Sequence, residues 1–188
     1  MDLRQEIETH TPKLRRFARA LTVGSKADGG RSGDDLVHES ILRALKFARP
    51  SGMDVRLSLY ASLVGLHRQQ SRAKSHLLQN LRAGHGAHAA AMGRDISGTM
   101  SGQTLVDVAL AALDLEERAA MLLVVLEGFN YADAAVVMDM TRETLQANLV
   151  RARATFARVV DGIHAQDSQS GARASQPAKR VRHLRLVK

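Results

Sequence analysis

Residues 131–160 read YADAAVVMDMTRETLQANLVRARATFARVV, and two helical patterns follow one another in this segment. Its first part, Tyr131–Met138, has the apolar spacing of a short helix, and its second part, Arg142–Val160, has that of a longer helix rich in arginine. The connector Met138–Thr141 leaves room only for a tight turn. Two helices joined by such a turn, with the second longer and basic, are typical of a helix-turn-helix.

The second helix of this pair combines a positive N-terminus with a polar face. Thr141 is placed to cap the helix, so that the helix dipole and the free N–H groups point outward, where a phosphate can bind. The polar side chains predict contacts with bases and phosphates of a DNA major groove. The residues assigned to these contacts are Thr141, Arg142, Thr144, Gln146, Asn148, Arg151 and Arg153. The alternative is a solvated, charged helix in a plain helical bundle.

Two shorter helices are predicted to precede this pair. They cover Leu105–Leu113 and Glu116–Glu127, and Gly128 is expected to end the second one. Together with the helix-turn-helix they make a compact helical unit.

The first half of the chain also has helical spacing. One helix is predicted to begin at Thr11-Pro12, with Thr11 as its cap, and to carry an apolar stripe as far as Leu21. A second helix follows Ser32–Asp35, which supplies a cap and acidic residues, and extends to Ala48. A third covers Val55–Leu81.

Composition changes between the two halves. Residues 82–104 are rich in Gly, Ala, Ser and His, which predicts a flexible linker, although a long helix continuing through Ala87–Met92 is an alternative. The predicted fold is therefore all-α, with small helical bundles at 1–81 and 105–165 joined by that linker. Residues 166–188 are predicted to be a basic, disordered tail.

Charge favours a polyanionic partner. The 188-residue chain has a formal net charge of +8, which indicates nucleic acid or an acidic membrane surface. Much of the excess lies in the tail after Ser168, which could follow DNA phosphates, contact lipid, or only aid solubility. A second basic zone, Val55–Arg94, contains no acidic residue.

Several function classes have no support in the sequence. The chain has no cysteine, which excludes disulfides and thiolate metal sites, and its N-terminus lacks the apolar core of a signal peptide. The longest apolar run, Ala119–Leu126, is too short to span a bilayer, so a cytoplasmic protein is expected. Metal-ligand spacing, phosphate loops and a nucleophile elbow are all missing, and neither catalysis, a metal nor a cofactor is predicted.

Both halves resemble the extracytoplasmic-function (ECF) group of bacterial sigma factors. Leu14–Thr22 is similar to the opening helix of sigma region two, and Asp34–Glu39 (DDLVHE) is similar to the helix that docks on the polymerase clamp. Leu122–Phe129 (LLVVLEGF) and the helix-turn-helix resemble sigma region four. The details are closest to the general-stress branch. The resemblance implies promoter binding, core RNA polymerase as a partner, and an anti-sigma protein as a regulator.

The resemblance also implies roles for residues of the first half. The family's region two holds a separated DNA strand at the −10 element, and a cationic groove with stacking groups suits that task. The candidates for the −10 element are Arg56, Tyr60, His67, Arg68, Arg72 and Lys74. The candidates for polymerase docking are Asp35, Leu36, Val37, His38, Glu39 and Arg43. The simpler interpretations are that His67 is a surface residue and that Asp34 and Asp35 only cap their helix.

The recognition helix departs from the family pattern. Where the family usually has Thr-Val-Lys-Ser-Arg, this chain has Thr144–Asn148 (TLQAN), so two cations are replaced by amides. Fewer phosphate contacts would weaken DNA binding and flatten its salt dependence. Two rival functions therefore stay open: a sigma-like decoy that binds an anti-sigma factor without promoter binding, and a simple helix-turn-helix regulator with a sensing or dimerisation domain.

Overall fold

The computed structural model describes residues 3–24, 32–46, 53–84 and 104–174, with side chains described to residue 76 in the third range and to residue 163 in the last. Secondary structure in these ranges is helical throughout. The elements are α1 (Leu3–Leu21), α2 (Gly33–Lys46), α3 (Val55–Gly84), α4 (Leu105–Ala112), α5 (Leu115–Met121), α6 (Tyr131–Val137) and α7 (Arg142–Ala174). Within this part of the chain, no helix is long and apolar enough to cross a membrane.

The first three helices form one bundle. α1 starts earlier than predicted, because Leu3 and the buried Ile7 extend its apolar stripe toward the N-terminus. The prediction that Thr11 caps a helix beginning at Pro12 is therefore wrong. Thr11 Oγ1 instead donates to the carbonyl oxygen of Ile7 at 2.7 Å, and Pro12 lies inside the helix.

α2 begins with the predicted cap. The Asp35 amide donates to Ser32 Oγ at 3.2 Å, and the Asp35 carboxylate accepts from the Ser32 amide at 2.9 Å. This reciprocal pair is a capping box, and it satisfies two N–H groups that the helix itself leaves open. α2 then packs against both α1 and α3.

The last four helices form the second bundle. α4 has its own capping box between Thr104 and Asp107. α5 continues into a π-helical turn, Leu122–Leu126, whose C-cap is Glu127. Gly128 follows with a φ of +68°, a left-handed conformation that glycine adopts at low cost. α7 packs on α4, α5 and α6.

α7 is longer than predicted. It continues to Ala174, so the segment from residue 166, expected to be disordered, begins as a helix. Residues 175–188, and the linker segment 85–103, lie outside the described residues.

A single hydrophobic core runs through both bundles. Leu14, Phe17 and Tyr60 from the first bundle belong to the same buried cluster as Leu123 and Phe129 from the second. The linker composition left the relative placement of the two halves open, whereas the structure packs α3 against α6 and α1 against the π-helical turn. The residues expected to bind DNA must therefore be located relative to this shared interface.

Candidate nucleic-acid interface

The turn before α7 is closed by a left-handed residue. Asp139 has a φ of +47°, the Met140 amide donates to the Ala135 carbonyl at 3.1 Å, and the Asp139 amide donates to the Val136 carbonyl at 3.2 Å. This Schellman arrangement ends α6 and lets the chain reverse within a few residues. Thr141 then caps α7, because its Oγ1 accepts from the Thr144 amide at 3.2 Å. The predicted helix-turn-helix is present.

The first turns of α7 present a polar surface to solvent. Thr141, Arg142, Thr144 and Gln146 are exposed, as is Arg153 further along the helix. Leu145, Leu149 and Ala152 are buried, as their spacing predicted. An exposed helix N-terminus with a nearby guanidinium and an amide is a geometry that can bind a phosphate and read base edges.

Two of the residues on α7 that were predicted to contact DNA instead contact other residues of the protein. Asn148 is buried, with 4% of its surface exposed, and its Nδ2 donates to Met140 Sδ at 3.5 Å. Arg151 donates to Asn148 Oδ1 and, through Nε, to Glu117 Oε1 at 3.1 Å. The expectation that Asn148 reads a base does not hold in this conformation, because its side chain faces the protein.

Most residues predicted to hold the −10 strand lie in the interface between the bundles. Tyr60 and His67 are buried, so neither ring can stack on a base in this arrangement. Arg56 donates to the Glu127 carbonyl at 2.6 Å and lies 3.9 Å from the centroid of the Phe129 ring. Arg72 is exposed and Lys74 is partly exposed.

Arg68, the remaining −10 candidate, also crosses the interface. Its guanidinium forms a two-point ion pair with the Glu116 carboxylate and donates to the Met138 carbonyl at 2.7 Å. Met138 is the C-cap of α6. The cation expected to contact a DNA phosphate therefore contacts an acid and a helix C-terminus of the second bundle.

Glu127 is the centre of this interface. Its side chain is fully buried, and its carboxylate accepts from Arg16 at 2.9 Å and from the Tyr60 hydroxyl at 2.6 Å. Burial and the adjacent carboxylate raise the pKa of Tyr60 far above its ordinary value, so Tyr60 keeps its proton and acts as a donor. Phe17, Tyr60 and Phe129 stack edge to face, with 5.1 Å between successive ring centroids.

Arg118 forms a second connection between the bundles. One terminal nitrogen donates to the Leu21 and Val23 carbonyls at 2.9 and 2.8 Å, and the other donates to Ala111 and Leu113 at 3.2 and 3.0 Å. A single buried guanidinium thus caps the ends of α1 and α4.

Sequence reasoning missed the residues that build the interface. Its centre is formed by Arg16, Arg118, Glu127 and Phe129. The available signal was Arg118, which directly precedes the apolar run Ala119–Leu126, since buried charges are found where partners satisfy them.

His67 is buried beside this connection. Burial, together with the positive charge of Arg118, lowers the pKa of His67 from 6.5 to about 4. Its Nδ1 is buried and has no hydrogen-bond partner among the described residues. The neutral ring is therefore the form that fits the interface.

The residues predicted to dock on polymerase have mixed positions on α2. Leu36 and Val37 are buried in the core and are not available to a partner. Asp35 forms the capping box, and Glu39 pairs with Arg43 at 3.3 Å. His38 is exposed. Among the described residues, no group of three or more His, Cys, Asp and Glu side chains could hold a metal ion.

Comparison with known families matches the two bundles separately. Residues 7–64 match the model of the sigma2 domain of PhyR, and residues 103–156 match that of sigma-70 region 4. The chain is also 29% identical over 170 residues to the ECF RNA polymerase sigma factor EcfG of Rhodopseudomonas palustris, covering 85% of this chain and 87% of the relative. The chain is therefore similar to ECF sigma factors in both of its bundles.

Solved structures share the fold of this protein. The sigma factor RpoE of Bartonella quintana, in complex with the anti-sigma factor NepR, superposes with a TM-score of 0.63 at 24% identity, covering 84% of this chain and 96% of that one. The anti-anti-sigma factor PhyR of the same organism, also with NepR, has a TM-score of 0.55 at 22% identity, covering 84% of this chain and 50% of PhyR. The fold is therefore shared by a sigma factor and by an anti-anti-sigma factor.

Proposed function

We propose that this protein is an ECF-type sigma factor, which directs core RNA polymerase to specific promoters. The N-terminal half of α7 binds the −35 element, with Arg142 and Gln146 at the bases and Arg153 at a phosphate. A cytoplasmic location follows from the use of core polymerase. The protein performs no chemistry itself, because polymerase supplies catalysis and the sigma factor supplies position.

One observation carries this proposal. The Schellman turn at Asp139 and the Thr141 cap present the N-terminus of α7 to solvent, while its apolar face is buried. Arg142 and Arg153 are both exposed. Exposed cations beside an open helix N-terminus favour an anionic ligand with a regular phosphate spacing.

Region two requires a change of arrangement before it binds a separated strand. Arg56, Tyr60 and Arg68 contact the second bundle, and a DNA strand needs the same groups. In the proposed mechanism, the two bundles part when they bind polymerase, and phosphates then replace Glu116 and Glu127 as partners of the cations. The exposed Arg72 and the partly exposed Lys74 contact the strand in the same step.

Docking on polymerase is assigned to the exposed side of α2. His38 and the Glu39–Arg43 pair are accessible there, whereas Leu36 and Val37 act by holding the helix in place. An anti-sigma factor is proposed to regulate the protein by occupying one or both bundles, as the NepR-bound relatives suggest.

Transcription from fragmented genomic DNA tests the proposal even though the promoter sequence is not specified. Core polymerase with the protein should yield transcripts that share upstream elements, and core polymerase alone should not. Arg142→Gln should reduce these transcripts at least tenfold. The matched change Arg158→Gln, on the exposed C-terminal part of α7, should leave them within about twofold, since this residue lies far from the helix end that enters the groove. The absence of specific transcripts together with no binding to core polymerase would contradict the proposal.

A sigma-like decoy is the second candidate, favoured by the match to the PhyR sigma2 domain. The amide at Gln146, in place of the family's cation, points the same way. A decoy binds an anti-sigma factor and relieves its inhibition of another sigma factor, yet yields no transcripts with core polymerase. The genomic transcription experiment separates the two functions when an anti-sigma protein is added.

A further inference from the structure

Arg151 is held by an acid of the neighbouring helix. Glu117 lies on α5, and 10% of its side chain is exposed, whereas 59% of the Arg151 side chain is exposed. The ion pair between Arg151 Nε and Glu117 Oε1 spans 3.1 Å. The carboxylate is thus almost removed from solvent, and the guanidinium is the charge that compensates it.

Asn148 adds a second point of attachment. Arg151 donates to Asn148 Oδ1 through a terminal nitrogen, and Asn148 Nδ2 in turn contacts Met140 Sδ in the turn before α7. Two nitrogens of the guanidinium are therefore bound, one by Glu117 on α5 and the other by Asn148 on the buried face of α7. This chain of contacts joins α5, α7 and the tight turn into one unit.

The position of Asn148 changes the meaning of the altered family pattern. An amide at this buried site accepts a hydrogen bond from Arg151 and fits the interior. The missing cation at position 148 therefore removes no phosphate contact in this geometry. The amide at position 148 acts instead on Arg151, because Asn148 and Glu117 together hold the guanidinium along the protein surface.

We infer that Glu117, assisted by Asn148, is a positioning residue that withholds the charge of Arg151 from DNA. The inference rests on the proposed binding of DNA by α7. Releasing Arg151 to a phosphate would leave the Glu117 carboxylate buried without its counter-charge, which is costly. A single phosphate contact at the protein surface does not offset that loss. The cations that bind the duplex on this helix are then Arg142 and Arg153.

The salt dependence of DNA binding tests this inference, because each phosphate contact steepens the slope of log K against log [salt] by about 0.9. The full chain is titrated with a fluorescein-labelled duplex of arbitrary sequence across a series of NaCl concentrations, and binding is measured by anisotropy. Glu117→Gln keeps the shape of the side chain and removes its charge. This variant should steepen the slope by about 0.9, since Arg151 becomes free to contact a phosphate.

Matched variants separate the tether from a general change of charge. Asp114→Asn removes one negative charge at the exposed N-cap of the same helix, where the side chain makes no capping hydrogen bond, and should not change the slope. Arg151→Gln alone should also leave the slope unchanged. The double variant Glu117→Gln/Arg151→Gln should return to the wild-type slope.

The outcomes distinguish this inference from the proposed function. Arg153→Gln, at the proposed phosphate contact, should flatten the slope by about 0.9. If it does so and Arg151→Gln flattens the slope equally, Arg151 already contacts a phosphate and the tether is wrong. The Arg151→Gln result decides the question even if Glu117→Gln does not fold. If Arg153→Gln has no effect on the slope, α7 is not the DNA-binding face, and both the proposed function and the tether are wrong.

Discussion

Single arginine side chains join the two bundles by capping helix ends. Arg16 donates to the Leu126 carbonyl at 3.0 Å, Arg68 donates to Met138, and Arg118 donates to Leu21. The last carbonyls of a helix lack partners within it and carry the negative end of the helix dipole. Each contact therefore satisfies polar groups that burial in the interface would otherwise leave costly.

His67 makes the stability of the protein depend on pH. Its pKa is about 4 in the folded protein and 6.5 in the unfolded chain, so the unfolded chain binds the proton more readily between these values. The contribution of the neutral His67 ring to the free energy of unfolding is fully present above about pH 6.5, and it is lost as the pH falls toward 4. At about pH 5 the loss from this residue is about 2 kcal/mol.

Urea unfolding at about pH 7.5 and about pH 5 checks the role of His67. The wild type should lose about 2 kcal/mol more than His67→Gln between the two pH values, because the variant has no imidazole to protonate. The exposed His38 supplies the control, and His38→Gln should lose stability as the wild type does. Equal losses for the wild type and His67→Gln would show that this ring does not titrate against folding.

Two glycines show how helix contacts constrain the sequence. A Cβ added at Gly33, at the start of α2, would lie 2.9 Å from backbone atoms of Ala18 and Arg19 in α1. A Cβ added at Gly65, on the exposed side of α3, would meet nothing within 4 Å. The same chemical change should therefore have opposite effects at these two positions.

Thermal or urea unfolding of Gly33→Ala and Gly65→Ala tests this contrast. Gly33→Ala should destabilise by about 1–3 kcal/mol, because backbone atoms of α1 must move. Gly65→Ala should stabilise by about 0.5–1 kcal/mol, because alanine loses less conformational entropy than glycine in a helix. Destabilisation by both changes to a similar degree would mean that α1 and α2 do not approach so closely.

Local patterns predicted the helices well because each signal acts over one or two turns. The Ser32 cap, the end at Gly128 and the turn before Thr141 are confirmed. Pro12 misled the prediction, since proline is favoured in the first turn of a helix but is tolerated inside α1, where Ile7 gains burial. Tertiary packing outweighed the local preference there.

The candidate site was less predictable because charge alone does not reveal its partner. Arg56 and Arg68 were predicted to hold a DNA strand, yet their partners in the structure lie far away in the chain, on the second bundle. Asn148 looked like a polar surface residue, but helical geometry turns it inward beside Leu149. Contacts between the bundles depend on long-range placement, which the composition of the connecting segment does not encode.

The two bundles of the molecule contact each other through an interface, and the cations in this interface are those expected to hold a DNA strand. If promoter binding requires the bundles to part, a covalent lock across the interface should abolish transcription. Gly24 and Ala111 suit such a lock, since a Cβ at Gly24 would lie 3.3 Å from the Ala111 Cβ. That separation is slightly below the ordinary Cβ–Cβ distance of a disulfide, about 3.5–4.5 Å, so a small shift closes the bond.

Promoter transcription by core polymerase with Gly24→Cys/Ala111→Cys in its two redox states shows whether the bundles must part. The chain has no native cysteine, so no other disulfide can form within it. Each single variant controls for the cysteine itself and for strain at Gly24, whose φ is +79°. We expect specific transcripts from the reduced double variant, and oxidation should lower the yield of those transcripts at least tenfold. Equal transcription in both states would contradict the requirement for opening, and no transcription from the wild type would contradict the sigma-factor function.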